Sequence, residues 1–245
     1  MKIQLSIPSS GDVAVDTLGS IVGAVQSSSH KIGVATACGS LLTTNFNRLY
    51  CWFLNGTADY FVMLHADIAP QGVLWLDRFV EIAQENKAAI LSGVVALGDH
   101  SRLTSTAEDI HRWAPRKLSI DEVLAMPLTW PASSEGKRYV FNTGFLLIDR
   151  TVGPMGFTMR DALCQDQSGQ WQALVQPEDW HFSRRVIDAG HRCFITREIV
   201  TLHRRYFWSN GAVTADRYKV GQLSSDPIAW NKFIEGFEGN YLPIE

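Results

Sequence analysis

Apolar positions change period several times along the chain, and each change marks an element. Ile3 to Ile7 alternates like a strand and ends in the loop Pro8-Ser9-Ser10-Gly11. Val13 to Val25 has helical spacing, carried by Val15, Leu18, Ile21, Val22 and Val25. Lys31 to Ala37 predicts a second strand. Ser40 is placed to cap a helix running to Leu54, with Leu41, Leu49, Trp52 and Phe53 as its apolar face and Asn55-Gly56 as its stop. Tyr60 to Leu64 has the length and composition of a strand buried on both faces. A helix of about four turns follows from Gly72 to Asn86, and Ala88 to Leu97 is an apolar run with strand character.

Strand and helix thus alternate over the first 97 residues, the pattern of a parallel sheet covered by helices. The fold class is α/β. From Asp99 to Lys137 the chain is polar and proline-punctuated, and its one clear helix signal is the capping box that opens at Ser119-Ile120-Asp121-Glu122. A long irregular stretch of this kind is expected to be a functional loop or a mobile segment. Tyr139–Phe141 and Phe145–Ile148 resume strand character around Asn142-Thr143-Gly144. A helix opens at Gln176-Pro177-Glu178-Asp179-Trp180, with Pro177 at its first position and Gly190 at its end. Cys193–Ile195 and Val200–Leu202 read as short strands. Arg204 to Glu245 is rich in aromatics and turn residues and carries no clear assignment.

Composition narrows the class. At 245 residues the chain suits one large domain, and 19% charged with 46% hydrophobic residues is ordinary for a soluble globular protein. A net charge of -3 leaves no global electrostatic footprint for nucleic acid. Cys38, Cys51, Cys164 and Cys193 are scattered and form no C-x-x-C, so a cysteine zinc site or disulfide framework is not expected. The N-terminus lacks the apolar core of a signal peptide, and no run is long enough to span a bilayer; the expected location is cytoplasmic.

Candidate chemistry sits at the ends of elements. The strand Tyr60–Leu64 stops at His65-Ala66-Asp67, and open α/β sheets bind ligands at the carboxyl ends of such strands. The competing reading makes Asp67 a turn residue before Pro70. Asp179 shares a helical stripe with Phe182 and Val186, so its carboxylate faces inward, where desolvation raises a pKa toward that of a general base. Against this, Glu178 and Asp179 both suit the first turn of a helix through its dipole. His203 follows at a strand end, where a lone histidine is more often structural.

Taken together, these segments resemble the GT-A fold glycosyltransferases, in particular small inverting, family-2-like enzymes of bacteria and phages. The resemblance runs from Ile3 to about Arg204. It rests on the loop Ile7-Pro8-Ser9-Ser10, on Gly39-Ser40 followed by Asn47, and on Gly56 to Pro70 set against the family's "GADYLLFLDSDM-PP". Asn142 to Arg150 stands against "N-x-G-F-x-L-I-R", and Glu178 to Arg192 with His203 against "EDWDFCRRAREAGFRI…H". It implies a Rossmann-like nucleotide-diphospho-sugar transferase with a mostly parallel sheet. Residues 1–205 would form a single catalytic domain, with 1–98 as the nucleotide-sugar half and 99–205 as the acceptor half. Residues 206–245 would be an extension that packs on it or closes as a lid through Tyr206, Phe207, Trp208, Trp230 and Phe233.

The resemblance further implies a hexosyltransferase-like activity on a UDP- or GDP-sugar. Pro8, Ser9, Ser10, Asn47, His65, Ala66 and Asp67 would contact the donor, and Gly144 and Trp180 the acceptor. Asp67 and His203, joined by His65, would hold a divalent cation, Mn2+ or Mg2+. Asp179 would be the base, with Glu178 beside it orienting the acceptor or supporting the helix start. A carbohydrate hydroxyl is the favoured acceptor. A hydroxylated base in DNA stays open because Arg184, Arg185, Arg192, Arg197, Arg204 and Arg205 cluster late in the chain, although Arg184 and Arg185 also suit the solvated face of their helix. Two positions depart from the pattern: His65 replaces the first acid of the D-x-D motif, and Phe46 replaces the arginine of Arg-Asn. These departures keep open a non-catalytic nucleotide- or sugar-binding protein on the same scaffold, and a retaining mechanism also stays open.

Overall fold

The computed structural model describes residues 1–97, 101–165, 169–209, 212–217 and 241–243, with side chains described up to His203. A seven-stranded sheet forms the centre. Its strands are β1 (Lys2–Ser9), β2 (Lys31–Cys38), β3 (Tyr60–Leu64), β5 (Ile90–Gly93), β8 (Thr129–Pro131), β11 (Phe145–Asp149) and β14 (Cys193–Thr196). They lie in the order β2-β1-β3-β11-β5-β14-β8. β2, β1, β3, β5 and β14 run the same way, while β11 is antiparallel to β3 and β5, and β8 to β14. This is a mixed α/β fold with a large, mostly parallel sheet flanked by helices.

Period-two alternation splits the strands between two cores. Ile3, Leu5, Ile7, Val62, Leu64 and Leu147 pack against α1 (Val15–Ser27) and α3 (Trp75–Glu85). Phe61, Met63, Leu146 and Ile148 pack on the other face against α2 (Leu42–Asn55) and α5 (Glu178–Asp188). β3 is therefore buried at every residue, as its unbroken apolar run predicts.

Several expectations are corrected. Ser40 does not cap α2: the cap position is Leu41, which makes no side-chain cap bond, and Leu41 and Trp52 are exposed while Leu49 and Phe53 are buried. The third helix starts at Trp75, because Gly72 takes a left-handed turn conformation ahead of it. Pro177 is the cap of α5 rather than its first residue, while Gly190, at φ +79°, ends the helix as expected. In α1, only Ile21 of the five apolar residues that carry the helical spacing is buried.

The polar stretch after residue 99 is more ordered than its composition suggests. It forms β6 (Leu103–Glu108), β7 (Arg116–Ser119), α4 (Ile120–Ala125) and β9 (Ser133–Ser134), with β10 (Lys137–Val140) completing the sheet β7-β6-β10-β9. α4 opens with the expected capping box: Ser119 Oγ accepts from the Glu122 amide at 3.1 Å and Glu122 Oε2 from the Ser119 amide at 2.8 Å. A hairpin without a periodic signal, β12 (Arg160–Gln165) and β13 (Trp171–Gln176), pairs with β17 (Tyr241–Pro243). β4 (Ile68–Pro70) pairs with β15 (Thr201–Ser209), which pairs in turn with β16 (Ala212–Arg217). The roles expected for the aromatic side chains from Tyr206 to Phe233 lie outside the described residues. The four cysteines are free, and no helix among the described residues is long and apolar enough to cross a membrane.

Candidate functional site

The carboxyl ends of β1 and β3 open onto a cavity of about 360 Å3 lined by Pro8, Ser9, Ser10, His65, Ala66 and Asp67. Every residue expected at the donor except Asn47 lies here. Gly11, Asp12, Ala14 and Leu42 complete the wall. Ser9 shapes its own loop: Oγ donates to the Asp12 carbonyl at 2.7 Å and accepts from the Gly11 amide at 3.0 Å. The Ala14 amide donates to the Ala66 carbonyl at 2.8 Å, tying the first loop to the turn after β3.

Asn47 stands elsewhere. Its Nδ2 donates to the Phe157 carbonyl at 2.8 Å and its Oδ1 accepts from the Phe157 amide at 2.7 Å, so the side chain clamps a distant loop and does not face the cavity. Asn45 does the local work instead: buried, it donates to the carbonyls of Ser9 (3.2 Å) and Gly39 (2.9 Å) and ties the ends of β1 and β2 together.

Pairing of β4 with β15 sets His203 opposite Ile68, one residue past Asp67. His203 Nε2 stands 3.3 Å from Asp67 Oδ2, and its Nδ1 lies 2.7 Å from the Ala96 carbonyl. A carbonyl can only accept, so Nδ1 carries the hydrogen. A neutral His203 therefore presents an Nε2 lone pair to a carboxylate, an arrangement that requires either a proton or a cation between them. Burial works to raise the Asp67 pKa, but where His203 is protonated its hydrogen bond and charge outweigh burial and hold the carboxyl below its ordinary value. This donor set, one carboxylate oxygen and one imidazole nitrogen with its second nitrogen anchored, fits a divalent ion that takes its remaining ligands from substrate oxygens and water.

His65 does not join them. Among the described residues no group of three or more His, Cys, Asp or Glu gathers as a metal cage. His65 lies against Phe46, ring centroids 5.1 Å apart, and its Nε2 is buried without a hydrogen-bond partner. Burial lowers its pKa to about 4, so the ring is neutral. Gly144 packs close by: a Cβ there would stand 2.9 Å from His65 Nδ1 and 2.9 Å from Ile68 Cδ1. The Gly144 carbonyl accepts from the His65 amide at 2.8 Å.

A second cavity, about 520 Å3, holds Asp179 and Trp180 together with Leu97, Trp113, Lys117 and Leu174. Asp179 Oδ1 accepts from the Trp180 amide at 2.7 Å. Burial, then the neighbouring Glu178 charge, push the Asp179 pKa up to about 7 against the opposing pull of that amide and Lys117. Burial also raises Glu178, which is not among the residues lining this cavity. Trp180 serves two ends, packing on Ala107 and Val140 while forming part of the wall. Ser183 sets the height of the helix: its Oγ contacts the amide (3.0 Å) and carbonyl (2.9 Å) of Phe141, just before the Asn142–Gly144 turn. A small polar residue inside the stripe Asp179, Phe182, Val186 was the sequence signal for it.

Four of the late arginines make contacts within the protein, while the side chains of Arg204 and Arg205 lie outside the described residues. Arg184 pairs with Asp109 and donates to the carbonyls of His111 and Arg112. Arg185 donates to the Gly156 carbonyl, Arg192 to Asn86 and Arg197 to Met126. Arg184 is thus no solvated face. It pins the 109–113 loop that carries Trp113 into the second cavity.

The fold is a mixed α/β fold with a large, mostly parallel sheet flanked by helices, compatible with a Rossmann-like arrangement. No protein-family model matches the chain, and no curated protein matches it. Among solved structures the chain shares its fold with A197 from STIV, with a TM-score of 0.54 and 14% identity over 92% of this chain and 99% of that one. A much looser likeness, at a TM-score of 0.34 and 8% identity, joins 83% of this chain to 93% of HddC from Yersinia pseudotuberculosis. The complex of HddC with GMP-PN gives 0.35 and 9% over 82% and 92%.

Proposed function

We propose that the chain is a metal-dependent glycosyltransferase of the GT-A type, moving a sugar from a UDP- or GDP-sugar to an acceptor hydroxyl with inversion. One observation carries this reading. An Asp67–His203 pair stands at one cavity, and a carboxylate with a pKa near 7 stands in another whose wall includes Leu97, the residue after the Ala96 that anchors His203. Leaving-group stabilisation and proton removal are then assigned to separate, neighbouring places.

The Ser9–Asp12 loop and the Ala66 turn would hold the donor. Mn2+ or Mg2+, when held by Asp67 and His203, supplies positive charge that stabilises the departing diphosphate. With Asp179 Oδ1 fixed by the Trp180 amide, Oδ2 accepts the acceptor hydroxyl proton as that oxygen bonds to the anomeric carbon and the carbon–oxygen bond to the diphosphate breaks. A carbohydrate hydroxyl remains the favoured acceptor. A hydroxylated base in DNA is the alternative acceptor, and duplex affinity that falls steeply with salt would favour it.

The test is turnover of nucleotide sugars with Mn2+, alone and with a panel of acceptors. Asp179→Asn is expected to lower kcat by about 100- to 10,000-fold with donor binding retained, and His203→Ala to remove the metal dependence of donor binding. A protein that binds donor in a thermal-shift assay but turns it over with no acceptor is a binding protein on this scaffold. No binding of any nucleotide sugar overturns both readings.

A further inference from the structure

The outward face of α1 is apolar where a surface helix is normally polar. Val15, Leu18, Val22 and Val25 are 71%, 53%, 44% and 42% exposed. Their spacing of three, four and three residues is the a/d seam of a helix that pairs with another helix. The buried face of the same helix, Thr17, Ile21 and Ala24, already satisfies the core. The seam is therefore surplus to folding this chain. Val73 and Leu74 flank it, exposed as well, with Val73 within 3.5 Å of where a Gly23 Cβ would stand. Val34 of the edge strand β2 lies on the same face of the sheet, two residues beyond Ile32, which packs with α1.

We propose that this face is a two-fold interface between copies of the chain, with α1 paired antiparallel to α1 of the second copy. The seam is symmetric about the level of Ser20. Positions 15 and 25 lie five residues either side of it, and 18 and 22 lie two either side. A two-fold axis there sets Val15 against the partner's Val25 and Leu18 against the partner's Val22, so the stripe is its own complement, as an isologous contact requires. Gly19 meets nothing within 4 Å at its would-be Cβ and leaves room for close approach. The one charged residue of the helix, Asp16, is carried to opposite ends in this arrangement. A parallel pair would set it against itself.

The area is of the right size. The seam and its flanks expose on the order of 500 Å2 of apolar side chain, at the upper end for a monomer. That is about three-fifths of the roughly 800 Å2 per partner that a stable dimer buries, with a polar rim making up the rest. A lipid surface fits less well, since α1 carries no lysine or arginine to meet headgroups.

Sedimentation of the full chain at micromolar concentration is expected to give a dimer, and Leu18→Glu/Val22→Glu a monomer with unchanged circular dichroism, whose melting temperature no longer rises with protein concentration. In a Cys38→Ser/Cys51→Ser background, oxidation of Val15→Cys/Val25→Cys is expected to cross-link two chains, whereas Val15→Cys alone is not. The proposal is overturned by a monomeric wild type, by a dimer that survives the double glutamate substitution, or by cross-linking of Val15→Cys alone, which marks a parallel pair. A monomer that co-floats with phosphatidylcholine–phosphatidylglycerol vesicles assigns this face to lipid instead.

Discussion

The ring of Phe46 lies against that of His65, centroids 5.1 Å apart and planes tilted by 39°. The two residues are thus in direct contact. Phe46 is fully buried and also meets Phe157 edge-on at 5.5 Å. A carboxylate at position 65 would face this aromatic cluster without a cationic partner, whereas a neutral imidazole is accommodated.

The expected consequence is coupling. His65→Asp buries an unpaired charge and is expected to destabilise by about 3 kcal/mol. Phe46→Arg puts a guanidinium into an aromatic core at similar cost. The double substitution is expected to recover at least about 1 kcal/mol of the summed loss, as coupled neighbours do. Urea denaturation of the four proteins measures this, and simple additivity would show that the contact carries no such relationship.

Asp179 has a folded-state pKa near 7, raised from its ordinary 3.8 by burial and Glu178. Between these values the folded protein binds more protons than the unfolded chain, so this group lowers stability as pH rises from about 4 to about 7. Asp179→Asn removes the burden. The variant is expected to melt higher than wild type at pH 8, by an amount that shrinks toward zero near pH 4. In the wild type, kcat/KM is expected to rise with pH through about 7 as the base ionises. A melting difference independent of pH would place the carboxylate in water rather than in the cavity wall.

Much of this arrangement could be read from the chain before its structure. The buried strand Tyr60–Leu64 and the Pro8–Ser10 loop announced their places because local pattern and tertiary role agree there. Asp67 and His203 were expected at one ion only through the resemblance; the residues themselves gave no sign of the contact, which depends on the short pairing of β4 with β15. Asn47 misled because an amide clamps backbone as readily as it binds a ligand, and only the position of Phe157 decides which. The small sheet after residue 99 was hidden for a different reason. Its strands are short and polar on one side, and they are held by ion pairs such as Arg116–Glu108, which leave no hydrophobic period to detect. α1 misled in the opposite direction, since its strongest apolar stripe faces outward.

Gly144 stands where a single methyl group is too much. A Cβ would lie 2.9 Å from both His65 Nδ1 and Ile68 Cδ1, on either side of Asp67. Gly144→Ala is expected to cost about 1–3 kcal/mol as an overpacked site and to weaken donor binding by tilting the 65–68 turn. Gly93→Ala meets the Phe145 ring more severely but lies in the strand. It is expected to cost more stability and to leave the donor affinity of the folded fraction less changed. Equal loss of donor affinity per kcal/mol in the two variants would mean that general loosening, not the turn, is responsible.

Arg184 shapes the second cavity from outside it. Its side chain is only 13% exposed and that of Asp109 10%, and the pair holds the loop that carries Trp113. Arg184→Met keeps the bulk of the stem but leaves Asp109 with Arg138 as its remaining ion-pair partner, 3.2 Å away. Loss of one partner from such a buried pair is expected to destabilise by about 3 kcal/mol. The informative readout is kinetic. Since the loop borders the Asp179 cavity and not the Ser9–Asp67 cavity, KM for the acceptor should rise severalfold while the donor dissociation constant stays within twofold of wild type. Arg184→Lys keeps the charge but cannot reproduce the forked contacts to Asp109 and the two carbonyls, so it should rescue stability only in part. A donor affinity that falls together with acceptor KM would assign the two cavities to one ligand, and with it the division of labour between Asp67 and Asp179 would fail.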